Sequence, residues 1–166
     1  LGSLRYCISG GAPLAPALEA GWREAAGLPL LNGYGLTEAS PVVTVNLPPE
    51  AGGKPGTAGQ AIPDVRVEIW DEEDRSLPAG REGRVVVRGA NVMKGYWRRA
   101  DETSRALAEG GWLRTGDLGR LDADGFLTIL GPEAEMIHSG GQALYPAEIE
   151  AALLELPEIE EAAVAG

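Results

Sequence analysis

Glycine and proline punctuate this chain from end to end: 24 Gly and 12 Pro, or 36 of its 166 positions. Both residue types favour turns. Their share is about a fifth, below the roughly 25–30% of low-complexity chains. With 44% hydrophobic residues, apolar material for a core is present. These proportions imply a folded protein with many tight turns. A length of 166 residues suits one compact domain or the junction of two incomplete ones, since domains run to roughly 100–200 residues.

Charge divides the chain unevenly. The formal balance is −11, from 25 acids and 14 Lys or Arg. Eight of the acids lie in 133–166, which hold no Lys or Arg. That leaves 17 acids and all 14 cations in 1–132. The character of the chain changes near Pro132, a candidate domain boundary. So acidic a protein is a poor general binder of nucleic acid or anionic membrane, because phosphate is repelled. An anionic substrate needs local donors: backbone N–H groups, a metal, or a few placed cations. The single cysteine, Cys7, cannot form an internal disulfide, and one His with no paired-Cys spacing makes a zinc site unexpected. There is no signal-peptide pattern and no apolar run near the roughly 18 residues of a membrane helix, so a cytoplasmic setting is expected.

Three styles of patterning follow one another. Leu4–Ser9 reads as a short buried strand ending in Gly10 and Gly11. Pro16 suits the first position of a helix, whose Leu14, Leu18, Trp22 and Ala25 recur at helical spacing before Gly27 ends it. Leu28–Asn32 reads as a second strand, again closed by glycines. Beyond it, Val65, Val67 and Ile69 alternate with Arg66 and Glu68, a half-buried strand. Asp71–Asp74 is a polar turn, and Val85–Val87 lie in a further strand. Leu118–Leu121 and Phe126–Leu130 flank a hairpin turn at Asp122–Gly125. After Pro132, Pro146 opens a helix with Ile149, Ala152, Leu153 and Leu156 on one face, stopped by Pro157. Ile159–Ala165 could begin another strand. Roughly 30 residues with one helix cannot bury a core of their own.

Three motifs bear on chemistry. In Gly33–Glu38 the glycines let the backbone approach a planar or anionic ligand. Thr37 and Glu38 offer a hydroxyl for a phosphate oxygen and a carboxylate for Mg²⁺. A simple glycine turn is the plainer alternative. In Trp112–Gly119, a fixed Asp117 after Gly116 can accept two hydrogen bonds from a ribose diol, or can cap a turn. In Ser9–Pro13, a strand-to-helix turn free of bulky side chains gives a flat adenine a surface, or is a plain turn.

Together, in this order and spacing, the motifs resemble the adenylate-forming enzymes: acyl-CoA synthetases, luciferase-like enzymes and peptide-synthetase adenylation domains. Gly33–Glu38 resembles the adenylate-binding motif. Gly83–Gly89 with Asn91–Trp97 resembles the β-subdomain signature, and Thr115–Asp117 the ribose-binding motif. Asp124–Gly131 leads to the inter-domain hinge. Gly140 and Gly141, then Tyr145–Glu150, resemble the start of the mobile C-terminal domain. Within the family, Leu4–Pro13 followed by Asn32–Val42 is most similar to medium- and long-chain fatty acyl-CoA synthetases. The resemblance implies an α/β tail, a β-rich barrel-like subdomain and the start of a small α+β C-terminal domain. It places the end of the large domain at 1–131 (α/β tail 1–50, β-subdomain 56–131). The hinge follows at 132–135, and the opening of the small domain at 136–166.

The same resemblance implies an acid–thiol ligase that converts a carboxylic acid, expected to be a fatty acid, and ATP to an acyl-adenylate, then transfers the acyl group to CoA. Thr37 is expected to bind the α-phosphate and Glu38 to hold Mg²⁺. Tyr34, flanked by Gly33 and Gly35, is expected to stack on adenine, with Gly11, Ala12 and Pro13 on its other side. Asp117 takes the ribose hydroxyls. Glu135 is the hinge acid, and Gly140 and Gly141 lie near the pantetheine path. The hinge departs from the family pattern Gly-Arg-x-Lys-Asp-x-Ile-Lys: Pro132, Ala134 and His138 stand where three cations are usual. The phosphate loop is expected before Leu1 and the catalytic Lys after Gly166, so the 166 residues alone are expected to be inactive. An adenylation domain or fatty acyl-AMP ligase that loads a carrier-protein thiol, and a non-catalytic binding module, are the competing readings. No nucleic-acid or membrane partner is expected.

Overall fold

A computed structural model describes residues 3–12, 14, 16–140, 142–156 and 158–166. Strand β1 (Cys7–Gly10) leads to helix α1 (Pro16–Ala26) and strand β2 (Leu30–Gly35), which pairs parallel to β1. This is the expected strand–helix–strand unit, with Pro16 opening the helix. Gly27, at φ 63°, closes it as its N–H donates to Arg23 O at 2.9 Å. Strands β3 (Val42–Asn46) and β4 (Gln60–Ala61) add antiparallel neighbours, giving a four-stranded sheet in the order β1-β2-β3-β4.

Three expectations need correction here. Strand β2 does not stop at glycine; it runs through Gly33 to Gly35, because glycine tolerates extended backbone as well as turns. Strand β1 is not buried: it is the sheet edge, and Ile8 is 61% exposed. Leu14, expected in α1, precedes the helix and is half-buried; on α1 itself Trp22 is half-buried while Leu18 and Ala25 face solvent.

The β-rich half is built on strands β5 (Val65–Trp70) and β6 (Glu82–Gly89). Helix α2 (Ala100–Ala106) and strands β7 (Leu107–Ala108), β8 (Trp112–Leu121) and β9 (Leu127–Pro132) complete it. The order is β5-β6-β8, with β7 and β9 sharing the far edge of β8 at opposite ends. The alternation of Val65, Val67 and Ile69 and the hairpin at Asp122–Gly125 appear as read. Asp122 N donates to Phe126 O at 3.0 Å and Gly125 adopts φ 82°.

The run Val85–Val87 is the centre of the core. All three side chains are fully buried, because β6 is covered on both faces. Val85 packs with Ile69 and Leu127, and Val87 with Ala39, Val43 and Leu113. Val86 packs with Trp70 and Trp112, whose rings lie 5.4 Å apart. The two sheets meet where Ala58 N donates to Leu127 O at 2.7 Å and Leu127 N to Gly59 O at 2.9 Å. The junction needs glycine: Gly59 has φ 86°, and a Cβ there would lie 2.1 Å from the Val45 backbone.

After β9, Glu133–Glu135 form a single 3-10 turn. A hairpin of β10 (Ile137–Ser139) and β11 (Gln142–Leu144) turns at Gly140, φ 59°. Helix α3 (Pro146–Leu154) then lies against β9. Pro157, the expected helix stop, lies outside the described residues. Residues 159–165 form no strand, contrary to expectation. Instead Val164 N donates to the Glu150 carboxylate at 2.9 Å.

Candidate functional site

The Thr115–Asp117 segment interrupts the pairing of β6 with β8. Val86 stands opposite Arg114 and Arg84 opposite Leu118, so the register shifts between them. Gly116 takes φ 80° within this bulge. Thr115 fixes it twice: its hydroxyl donates to Val85 O at 2.8 Å and accepts from Asp117 N at 3.1 Å. A bulge re-aims the side chain that follows it, and here that side chain is Asp117. Asp117 is a strand residue and does not cap a turn.

Tyr34 meets it from β2. The Tyr34 ring packs on both the Val87 and the Val85 core clusters, and its hydroxyl donates to Asp117 Oδ2 at 2.6 Å. Burial first, then this bond, pushes the Tyr34 phenol far above its ordinary range. Burial also raises the Asp117 carboxyl, and the Tyr34 hydrogen bond acts in the opposite direction.

The two residues border a cleft of about 270 Å³, also lined by Gly11, Ala12, Gly33 and Gly35. Six of the residues read from sequence thus line one cleft. Pro13 lies outside the described residues. Ile129, Gly131 and Pro132 line it as well; of these Pro132 alone stands out in the sequence, as a missing hinge cation. Their contribution comes from register, with Asp117 opposite Pro132 and Leu118 opposite Gly131, and no local motif marks it. Asp117 is the one formally charged group among the residues that line the cleft. The cleft therefore suits a neutral, hydroxyl-rich or planar group better than a phosphate.

Thr37 and Glu38 continue from the end of β2 as a 3-10 turn, Thr37–Ala39. Gly35 makes the reversal possible: Leu36 N donates to Pro41 O at 2.9 Å, and a Cβ on Gly35 would lie 2.0 Å from that oxygen. Ala39, fully buried, anchors the turn in the core. The 91–96 segment clamps it from outside. Asn91 Nδ2 donates to Ala39 O at 2.8 Å and Met93 N to Glu38 O at 2.8 Å. Tyr96 donates to Glu38 Oε1 at 2.7 Å. That bond is the main cause of a raised Tyr96 phenol, ahead of burial. Tyr96 is a further site residue that sequence reasoning did not single out, although it lies inside the quoted Asn91–Trp97 signature.

Thr37 is exposed and Glu38 half-buried. Their hydroxyl and carboxylate are hard oxygen donors of the kind Mg²⁺ prefers. Among the described residues no group of three or more His, Cys, Asp or Glu could hold a metal. The donor set fits an ion that keeps several waters and takes further oxygens from a phosphate.

Glu135 and Gly140 do not line the Asp117 cleft, and Gly141 lies outside the described residues. The adjoining Glu133 is tied down. Arg84 Nη2 approaches Glu133 Oε1 at 2.7 Å, and Arg84 Nε donates to the same oxygen at 2.8 Å.

Residues 1–97 match the family described as AMP-binding enzyme. The chain is 41% identical over 167 aligned residues to the long-chain-fatty-acid–CoA ligase of Bacillus subtilis, covering 100% of this chain and 30% of that protein. It is 40% identical over 166 aligned residues to the indoleacetate–CoA ligase of Aromatoleum aromaticum, covering 100% of this chain and 32% of that protein. Among solved structures, ATP-bound MatB from Rhodopseudomonas palustris superposes with a TM-score of 0.91 at 38% identity, over 99% of this chain and 33% of that one. The o-succinylbenzoate CoA synthetase of Bacillus subtilis, in complex with its acyl-adenylate intermediate, gives 0.88 at 36% identity, over 99% and 33%. The chain spans about a third of the length of these relatives.

Proposed function

The chain belongs to the AMP-binding enzyme family, and from that premise we propose that it forms part of the nucleotide site of an AMP-forming acid–CoA ligase. The observation that carries this reading is the Tyr34–Asp117 pair beside the Thr37–Glu38 turn. Asp117 accepts hydrogen bonds from the ribose diol through its carboxylate. The Tyr34 hydroxyl holds that carboxylate in place and fixes its own ring for stacking on adenine. Gly11 and Ala12, with no side chain beyond Cβ, leave the other side of the cleft open to a flat base.

The reaction has two steps. In the first, a carboxylate oxygen of the acid attacks the α-phosphorus of ATP, and the bond to pyrophosphate breaks. Thr37 donates to an α-phosphate oxygen as charge builds there. Glu38, steadied by Tyr96, would hold Mg²⁺, which supplies Lewis-acid neutralisation of that charge. In the second step the CoA thiol attacks the acyl carbon, AMP leaves, and a thioester forms. Glu135 marks the pivot between large-domain residues 1–131 and small-domain residues 136–166. Gly140, with Gly141, borders the pantetheine path after rotation. The fatty-acid assignment draws support from the Bacillus subtilis relative. Adenylate formation needs the phosphate loop and the lysine of the complete protein, so these 166 residues alone are inactive.

One observation favours a second reading. Pro132 stands in register opposite Asp117 and supplies neither a cation nor an N–H. A site so altered could bind an adenylate without turning it over, or could serve a carrier-protein thiol in place of CoA. Carboxylate-dependent pyrophosphate exchange by the full-length protein, followed by thioester formation with free CoA, supports the ligase. Tight binding of an acyl-adenylate analogue with no exchange supports the binding module. Exchange without transfer to CoA supports the carrier-loading enzyme.

A further inference from the structure

We propose that a recess beside the Thr115–Asp117 bulge, separate from the Asp117 cleft, binds a phosphate-bearing anion. The recess has a volume of about 590 Å³ and is lined by Arg84, Arg99, Arg105 and Arg114, by the carboxylates of Glu102 and Glu133, and by Thr115 and Gly116. Four of the 14 cations of a chain with net charge −11 converge on this one hollow. The Asp117 cleft, by contrast, carries a carboxylate and no cation. Four guanidinium groups against two carboxylates leave the recess lining net positive, whereas the lining of the Asp117 cleft is net negative.

Three of the four guanidinium groups are held by carboxylates. Arg84 pairs with Glu133 at 2.7 Å, Arg99 with Glu102 at 2.5 Å and Arg114 with Asp74 at 2.6 Å. Each pairing orients a planar fork, and Arg84 Nη1 is further held by the Glu72 carbonyl at 3.4 Å. Arg114 also donates to the Arg105 carbonyl at 3.1 Å, which ties strand β8 to the end of helix α2. Arg105 itself has no carboxylate partner among the described residues. It is the guanidinium free to take a phosphate through two parallel hydrogen bonds.

The rest of the wall bears on which phosphates fit. Val85, Ala106 and Tyr96 give the recess an apolar side against which an organic body can lie. Tyr96 also donates to Glu38, so the recess opens one hydrogen bond away from the proposed metal-binding carboxylate. Inorganic pyrophosphate and the phosphates of a nucleotide-bearing substrate share the chemistry that four guanidinium groups recognise.

Isothermal titration of the protein at low ionic strength tests this with two probes, pyrophosphate and adenosine 3′,5′-bisphosphate. At least one gives a saturable isotherm. Arg105→Glu weakens it by roughly tenfold or more, the loss of one charge-assisted contact. Arg105→Ala weakens it less. Arg66→Glu makes the same change in net charge on β5, outside the recess, and leaves affinity within about twofold because exposed charges are screened. Tighter binding of the bisphosphate assigns the recess to a nucleotide-bearing ligand, and tighter binding of pyrophosphate to the inorganic anion. No saturable binding by either probe, or equal losses in Arg105→Glu and Arg66→Glu, overturns the proposal. Neither probe reads ligase activity, so failure here is separate from failure of the functional assignment.

Discussion

Tyr34 and Asp117 are separated by 83 positions in sequence, yet the Tyr34 hydroxyl donates to Asp117 Oδ2 at 2.6 Å. The bond joins the parallel β1–β2 unit to the β-rich half at the wall of the cleft. Tyr34→Phe keeps the ring and removes this bond. Because the bond lowers the Asp117 carboxyl against the upward pull of burial, the carboxyl titrates at higher pH in the variant. Carbon-detected NMR of the Asp117 side chain reads the shift. A downward shift, or none, contradicts the assignment.

Asp117 also sets a pH dependence of stability. Burial raises its carboxyl above the ordinary value, so the folded state holds the proton more tightly than the unfolded chain. Its contribution to stability is full below the unfolded value and declines as pH rises through the raised folded value. Asp117→Asn removes this penalty. Urea denaturation is expected to show the variant gaining on the parent protein between acid and neutral pH, with no further change above neutrality.

Tyr96 reports on Glu38. The hydrogen bond to Glu38 is the main cause of its raised phenol. Glu38→Gln removes the charge, and the Tyr96 titration seen by ultraviolet absorbance moves down toward the usual tyrosine value of about 10. Tyr96→Phe frees Glu38 and weakens Mg²⁺-dependent nucleotide binding by roughly threefold to tenfold, the worth of one hydrogen bond.

The core makes a sharper stability prediction. Leu127 is fully buried beside Val85 and Ile69, and Leu127→Ala is expected to cost about 2–5 kcal/mol in chemical denaturation. Breaking the Arg84–Glu133 pair by Arg84→Ala costs less, about 0–1 kcal/mol, since both partners are partly exposed. Its effect is local: hydrogen exchange quickens at 133–136 while global stability barely moves.

Features set by neighbouring residues were legible in the sequence. The period-two run Val65–Ile69, the Asp122–Gly125 hairpin and the Pro16 and Pro146 helix starts each depend on a few consecutive side chains. The Val85–Val87 run marked a strand, although only the fold shows that both its faces are covered. Long-range relations were not legible. Nothing local says that Tyr96 reaches Glu38, or that Gly131 and Pro132 line the cleft through pairing with β8. Ile8 and Leu18 read as buried because they are apolar, but apolarity does not specify which faces another layer covers. The extent of β2 was misjudged because Gly33 and Gly35 looked like punctuation. In the strand, Gly35 permits the approach of Pro41. Three cations are absent from the hinge pattern, as read. The cation that meets Glu133 is Arg84, 49 positions earlier, where no hinge motif points.

The central claim is that Asp117 holds the ribose of an adenylate. Isothermal titration of the full-length protein with AMP, compared with its Asp117→Ala variant, tests it most directly. The account predicts saturable binding by the parent and a loss of at least about tenfold in the variant, as befits hydrogen bonds to a charged group. Equal affinity in the two proteins, with the variant folded by circular dichroism, would contradict it.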